Sequence, residues 1–187
     1  MIYIVIVVVT IILIYIFFVL GKNKLIYQKS LIDGRTYLVN NLLDKQNAAD
    51  MLATIRNKLI VLVSKLKPEY EFGKGLMEKL ENVEFMENPA LVPDTSMTSY
   101  SVNKGEKIVF CLRDVTTGKM HDINLLMYVA IHELSHVASK SYGHTEEWQG
   151  IFADLLREGI RVGVYVDENY IMNPQNYCGM ILDERII

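Results

Sequence analysis

Cysteine is scarce in this chain: only Cys111 and Cys178 occur among 187 residues. A disulfide framework is therefore not required for folding, and a reducing compartment suits the sequence at least as well as an oxidising one. No Asn-x-Ser/Thr triplet occurs, in keeping with a membrane face that is not glycosylated. There is no internal repeat and no low-complexity stretch. Charge is missing from one long segment: Ile2 to Leu20 carries none, and only Thr10, Tyr3 and Tyr15 interrupt its apolar run.

As a helix, that run comes close to spanning a hydrocarbon core of ~30 Å at ~1.5 Å per residue. A cleaved secretory signal would need a positive n-region and a small-x-small site before Gly21, and neither is present. The expectation is a retained transmembrane anchor. Lys22, Lys24 and Lys29 flank it on the C-terminal side only, which places the rest of the chain on the cytoplasmic side of a cellular or virion membrane. What remains is about one small domain, large enough for a hydrophobic core of its own.

Net charge is −3, unevenly spread. Residues 21–67 hold nine Lys/Arg against three Asp/Glu, while residues 68–187 hold ten against nineteen, balances of +6 and −9. The basic part directly follows the apolar segment, where anionic headgroups would attract it. The acidic part would repel a phosphate backbone, so no nucleic-acid partner is expected. Neither a basic stripe nor a zinc-ribbon set of cysteines is present.

From about Asn41 to Lys65 apolar residues recur near helical spacing, and Pro68 ends the pattern. A shorter helix is expected at about 75–82, and the whole region reads as a helical stem or a packing layer beneath the rest. Ser99–Val102 and Lys107–Arg113 flank Asn103-Lys104-Gly105-Glu106, a hairpin signal. Asp122 is suited to cap a helix whose residues from Leu125 to Ile131 are apolar on every face, hence buried. Polar groups further along such a helix should be paired or bound to something. A turn at Ser141-Tyr142-Gly143 leads into another helix, with Trp148, Ile151, Phe152, Leu155 and Leu156 as its core stripe. From Tyr165 onward no element is evident.

The polar groups on the buried helix are His132, Glu133 and His136, in the pattern H-E-x-x-H. Residues four apart share a helix face, so both imidazoles can converge on one ion, and imidazole nitrogen suits Zn²⁺. Glu133 lies beside such an ion without binding it, placed to take a proton from a zinc-activated water as general base. A catalytic zinc needs a third protein ligand. His144 follows the turn that folds the chain back over the metal, and a glutamate such as Glu147 or Glu158 is the alternative. Two ordinary core histidines would not require a glutamate between them or a third histidine nearby. His121 reads as solvent-exposed, in a polar stretch. Tyr165, Tyr170 and Tyr177 are candidate hydrogen-bond donors to a developing oxyanion, and Met172 or Met180 a candidate floor beneath the metal.

His132-Glu133-Leu134-Ser135-His136, the insert to Gly143, and His144 followed four residues later by Trp148 resemble the WLM and SprT-like zincin metallopeptidases over roughly residues 105–160. With the N-terminal anchor, the chain is also similar to membrane-anchored metallopeptidases of large DNA viruses. The metzincin pattern fits poorly, since Ser139 and Tyr142 stand where it has Gly and His. The resemblance implies an α+β catalytic unit: a small sheet, the H-E-x-x-H helix, and a second helix bearing the third-ligand region. It further implies that an edge strand holds substrate backbone by strand addition, and residues 107–113 match that strand by position.

The expectation is thus an α+β protein with residues 1–21 as anchor, 22–67 as a basic juxtamembrane helical region, and 68–187 as a zincin-like domain. It would hold one Zn²⁺ and hydrolyse peptide bonds of a protein or peptide substrate. Two alternatives stand beside this: repair of DNA–protein crosslinks, as the resemblance implies, and a membrane protein whose zinc is only structural.

Overall fold

The structure is a computed structural model describing residues 9–10, 25–89 and 98–187. The anchor expected over residues 2–20 falls outside the described residues, apart from Val9 and Thr10. Among the described residues no helix is long and apolar enough to cross a membrane.

Strands β1 (Leu25–Lys29) and β2 (Thr36–Asn40) pair antiparallel. The turn between them is built by Asp33-Gly34: Gly34 takes φ +72, Asp33 accepts from the Arg35 N–H at 2.9 Å, and the Tyr37 hydroxyl donates to Asp33 at 2.5 Å. Asp-Gly between two strand-forming runs is the strongest short-range hairpin signal. This corrects the expected helical stem, because residues 25–40 add two strands to the main sheet instead of standing beneath it.

Helix α1 (Lys45–Ser64) follows, close to its expected bounds. Ala48, Ala49, Leu52, Ile55, Leu59 and Leu62 are all fully buried, so the helix belongs to the common core, as a packing layer would. Arg56, buried on the same helix, donates to the carbonyls of Val83 at 2.9 Å and Leu80 at 3.0 Å. It thereby satisfies acceptors that the end of helix α2 (Leu76–Asn82) would otherwise leave unpaired.

Strands β3 (Glu84–Glu87), β4 (Tyr100–Val102) and β5 (Lys107–Phe110) complete a five-stranded sheet in the order β1-β2-β3-β5-β4. β3 pairs parallel to β2 and β5, and β4 pairs antiparallel to β5. Strand β5 therefore uses both sides of its ladder, and Ile108, Val109 and Phe110 are buried. The expectation that residues 107–113 form the exposed edge is corrected: the edge on this side is β4, the first arm of the hairpin. The β4–β5 turn approaches the following helix so closely that a Cβ on Gly105 would come within 2.8 Å of Val137.

Helices α3 (Ile123–Ala138) and α4 (Glu146–Arg161) pack on each other, and α3 also packs on α1. Asp122 caps α3 by accepting from the Asn124 N–H at 2.7 Å, and Thr145 caps α4 by accepting from the Trp148 N–H at 3.3 Å. A short antiparallel pair, β6 (Gln175–Tyr177) and β7 (Met180–Leu182), occupies the stretch where no element was expected.

One buried charge network ties these parts together. Arg113 donates from Nε to Glu87 at 2.8 Å and also pairs with Asp44 at the start of α1. The second Glu87 oxygen accepts from the Asn40 N–H at 2.8 Å, linking β2, β3 and the end of β5. Removing one member of such a pair leaves the other charge buried and uncompensated. Glu87→Ala is expected to lower the unfolding free energy by about 3 kcal/mol in urea titrations. A loss below about 1 kcal/mol would contradict this account.

Candidate metal centre and cleft

Helix α3 buries Leu125 through Ile131 and brings its next turn, still held by the core, to the floor of a cleft. His132 and His136 leave one face of it. The indole of Trp148, one turn into α4, lies 4.7 Å from the His132 ring, 5.0 Å from the His136 ring and 4.3 Å from the His144 ring. Phe152, a turn further on, closes against His132 at 5.3 Å. The rotamers of three imidazoles are thus set by aromatic side chains of a neighbouring helix.

His144 reaches the pair from the turn between α3 and α4. Its Nε2 lies 3.2 Å from Nε2 of His132, and ligand nitrogens of all three histidines fall within 4.8 Å of one another. Nitrogens on a tetrahedral ion with bonds of ~2.0–2.1 Å stand about 3.3 Å apart, so the donor set fits a metal ion such as zinc. The turn is fixed by Glu147, which accepts from the N–H groups of Lys140 (3.2 Å) and Ser141 (2.9 Å) and from the Ser139 hydroxyl (3.2 Å). Those hydrogen bonds hold the Glu147 carboxyl down to about 2. Glu158 is engaged elsewhere, by Arg161, Lys67 and Tyr70. Of the three candidates for a third ligand, His144 alone joins the pair.

Glu133 is buried, and its Oε2 has no hydrogen-bond partner. Burial pushes its carboxyl up to about 8, with Ser101 on β4 drawing it partly back down. Burial, then the neighbouring imidazoles, lower His132 to about 3, and burial with His144 and Lys104 lowers His136 to about 4. Both rings are neutral at pH 7 and present lone pairs, the form in which imidazole binds metals.

The cleft has a volume of about 470 Å³. Ser99, Tyr100 and Ser101 of the edge strand region line it, as do Tyr177, Met180 and Leu182 of the β6–β7 pair. Among the tyrosine candidates Tyr177 reaches the cleft, its hydroxyl 2.5 Å from that of Ser99, whereas Tyr165 and Tyr170 are buried away from it. Met180 lines the cleft, and Met172 is 80% exposed outside it. Sequence reasoning missed the β6–β7 lining because short strands in a tyrosine-rich tail carry little periodicity.

His121 is corrected from exposed to buried: it packs 5.0 Å from the Tyr177 ring and faces Cys178. Cys111 and Cys178 are joined as a disulfide, although no disulfide was required from the sequence. The pairing arises because the β6–β7 turn is laid against the end of β5, which only the tertiary fold decides.

No family model matches the chain. In fold it is similar to Wss1 from Saccharomyces cerevisiae, with a TM-score of 0.51 and 19% identity over 67% of this chain and 88% of that one. This supports the WLM-like fold implied by the sequence resemblance, and at that identity it concerns fold alone. The uncharacterized protein R325 of Acanthamoeba polyphaga mimivirus is 36% identical over 173 residues, covering 89% of this chain and 86% of R325. The uncharacterized protein 042R of Invertebrate iridescent virus 3 is 35% identical over 107 residues, 57% of this chain and 64% of 042R. The chain belongs to the family of R325.

The burial of these groups gives the metal-free protein a definite pH response. Between about 4 and ~6.5 the unfolded chain binds protons at His132 and His136 that the folded chain refuses, so stability rises with pH there. Glu133 acts in the opposite sense: folded, it keeps a proton up to about 8 that the unfolded chain has released. From pH ~6.5 to about 8 Glu133 acts without the two histidines. The urea midpoint of metal-free protein should therefore fall between those two values, and the fall should be absent in Glu133→Gln. An equal fall in both proteins would refute the assignment.

Proposed function

We propose that the protein is a zinc-dependent peptidase acting on a protein or peptide substrate at a membrane. The observation that carries this reading is the convergence of three imidazoles beside a buried carboxyl oxygen with no partner, at the floor of an open cleft. His132, His136 and His144 would hold the ion. Zn²⁺ bound there supplies Lewis acidity toward a scissile carbonyl and makes water a nucleophile near neutral pH.

The chain's own groups account for the remainder. A cation held beside it would favour the ionised form of Glu133, which takes the proton of the attacking water on Oε2, the atom left free of hydrogen bonds, and passes it to the leaving amine. Among the described residues no strand pairs with the outer side of the edge strand β4, which lines the cleft, and an extended substrate can add there as a further strand. The β6–β7 lining, with Tyr177, Met180 and Leu182, favours an apolar substrate side chain.

A purely structural zinc site has no need of a buried carboxylate one residue from a ligand, which favours catalysis over that alternative. The −9 balance of residues 68–187 argues against a nucleic-acid-bound substrate such as a DNA–protein crosslink. The test combines metal content with cleavage of a peptide library by the full chain. Wild type should carry zinc and cleave, and chelation should abolish cleavage until zinc is restored. Glu133→Gln should keep its zinc yet lose about 10²–10⁴-fold in rate. Unaltered cleavage in Glu133→Gln would sink the mechanism.

Membrane attachment rests on the uncharged run Ile2–Leu20 and on Lys22, Lys24 and Lys29 beyond it. The catalytic domain then faces the cytoplasm and should survive protease added outside intact cells. Digestion under those conditions would reverse the orientation.

A further inference from the structure

The cleft uses three of the four histidines and neither cysteine. The remaining histidine and both cysteines meet elsewhere, brought together from three separate segments. Cys111 follows β5, His121 precedes the cap of α3, and Cys178 sits in the β6–β7 turn. All three are buried, and their ligand atoms lie within 4.8 Å of one another. Nε2 of His121 is 3.5 Å from Sγ of Cys178. The His121 main chain is held by its N–H donating to the Leu112 carbonyl at 2.9 Å, so the ring's place is set by the sheet.

A disulfide has no use for an imidazole beside it, and the His121 ring is held there by a hydrogen bond to the Arg113 backbone. A metal ion would use all three groups. The Cα atoms of the two cysteines are 6.3 Å apart. That separation falls within the ~4.4–6.8 Å range of disulfides. It also suits two sulfurs ~3.8 Å apart on a tetrahedral ion with ~2.3 Å bonds.

We infer that Cys111, His121 and Cys178, once the disulfide is reduced, form a second metal site for a thiophilic divalent ion such as Zn²⁺, separate from the three-histidine cleft. The chemistry balances with a dithiol as reductant. The dithiol gives two electrons and two protons to the Cys111–Cys178 bond and itself becomes a disulfide. The ion then displaces both thiol protons and binds two thiolates and one imidazole. Two sulfurs with one nitrogen select zinc over magnesium or calcium. Among the described residues no fourth His, Cys, Asp or Glu side chain joins the three. Tyr177 adjoins Cys178 and packs on His121, so this site also anchors part of the cleft lining.

The experiment uses the full chain, reduced with a dithiol, desalted without air and titrated with Co²⁺. A sulfur-to-cobalt charge-transfer band is expected in reduced wild type and in reduced His132→Ala, whose failure to hydrolyse peptides would not affect it. The band should be absent from oxidised wild type and from Cys178→Ser. His121→Asn, which keeps both sulfurs, should bind Co²⁺ at least about tenfold more weakly, since even outer partners of a ligand are worth ~10–100-fold. Absence of the band in reduced wild type overturns the proposal. So does a band of undiminished affinity in His121→Asn, because the histidine would then not be a ligand.

Discussion

The packing of one indole against three imidazoles governs the chemistry of this fold. Trp148 sits where α4 begins and touches His132, His136 and His144 at ring separations of 4.3 to 5.0 Å. Two of those rings come from a helix buried on nearly all sides, and the third from a turn pinned by Glu147. Without that contact the third histidine would be held only by an exposed turn. With it, the three nitrogens are preorganised, and the entropy of ordering them is met by aromatic packing before any ion arrives.

The cleft around this centre is made from the two least regular parts of the chain. One part of its lining is a three-residue edge strand, another a three-residue hairpin arm. Neither would persist alone, since isolated two-stranded pieces are marginal in water. The first is held by β5, itself locked between β3 and β4. The second is held through Cys178, joined to Cys111 and packed on His121.

Helices α1, α3 and α4 could be read in the sequence because long elements with a buried stripe repeat their pattern several times over. Their caps, Asp122 and Thr145, act as such residues should. The β4–β5 hairpin was legible too, but which arm would be the edge was not. That depends on β3 pairing in parallel with β5, a long-range choice that no local pattern records. The first hairpin was readable from Asp33-Gly34, yet the basic charge of residues 21–67 suggested a stem beside the membrane. Composition was the weaker guide, because a charged strand can still bury alternate residues such as Tyr37 and Val39.

At the site, spacing by itself determined that His132 and His136 share a helix face with Glu133 between them, because helical geometry leaves no other arrangement. Which group would join them was open in the sequence and was decided by the tertiary structure. Glu147 is spent on the turn and Glu158 on Arg161, leaving His144 facing the pair. The fates of His121, Cys111 and Cys178 were decided in the same way. A residue's chemistry can be read from its type, but its partners come from segments as far apart as Cys111 and Cys178, and only the folded core brings those together.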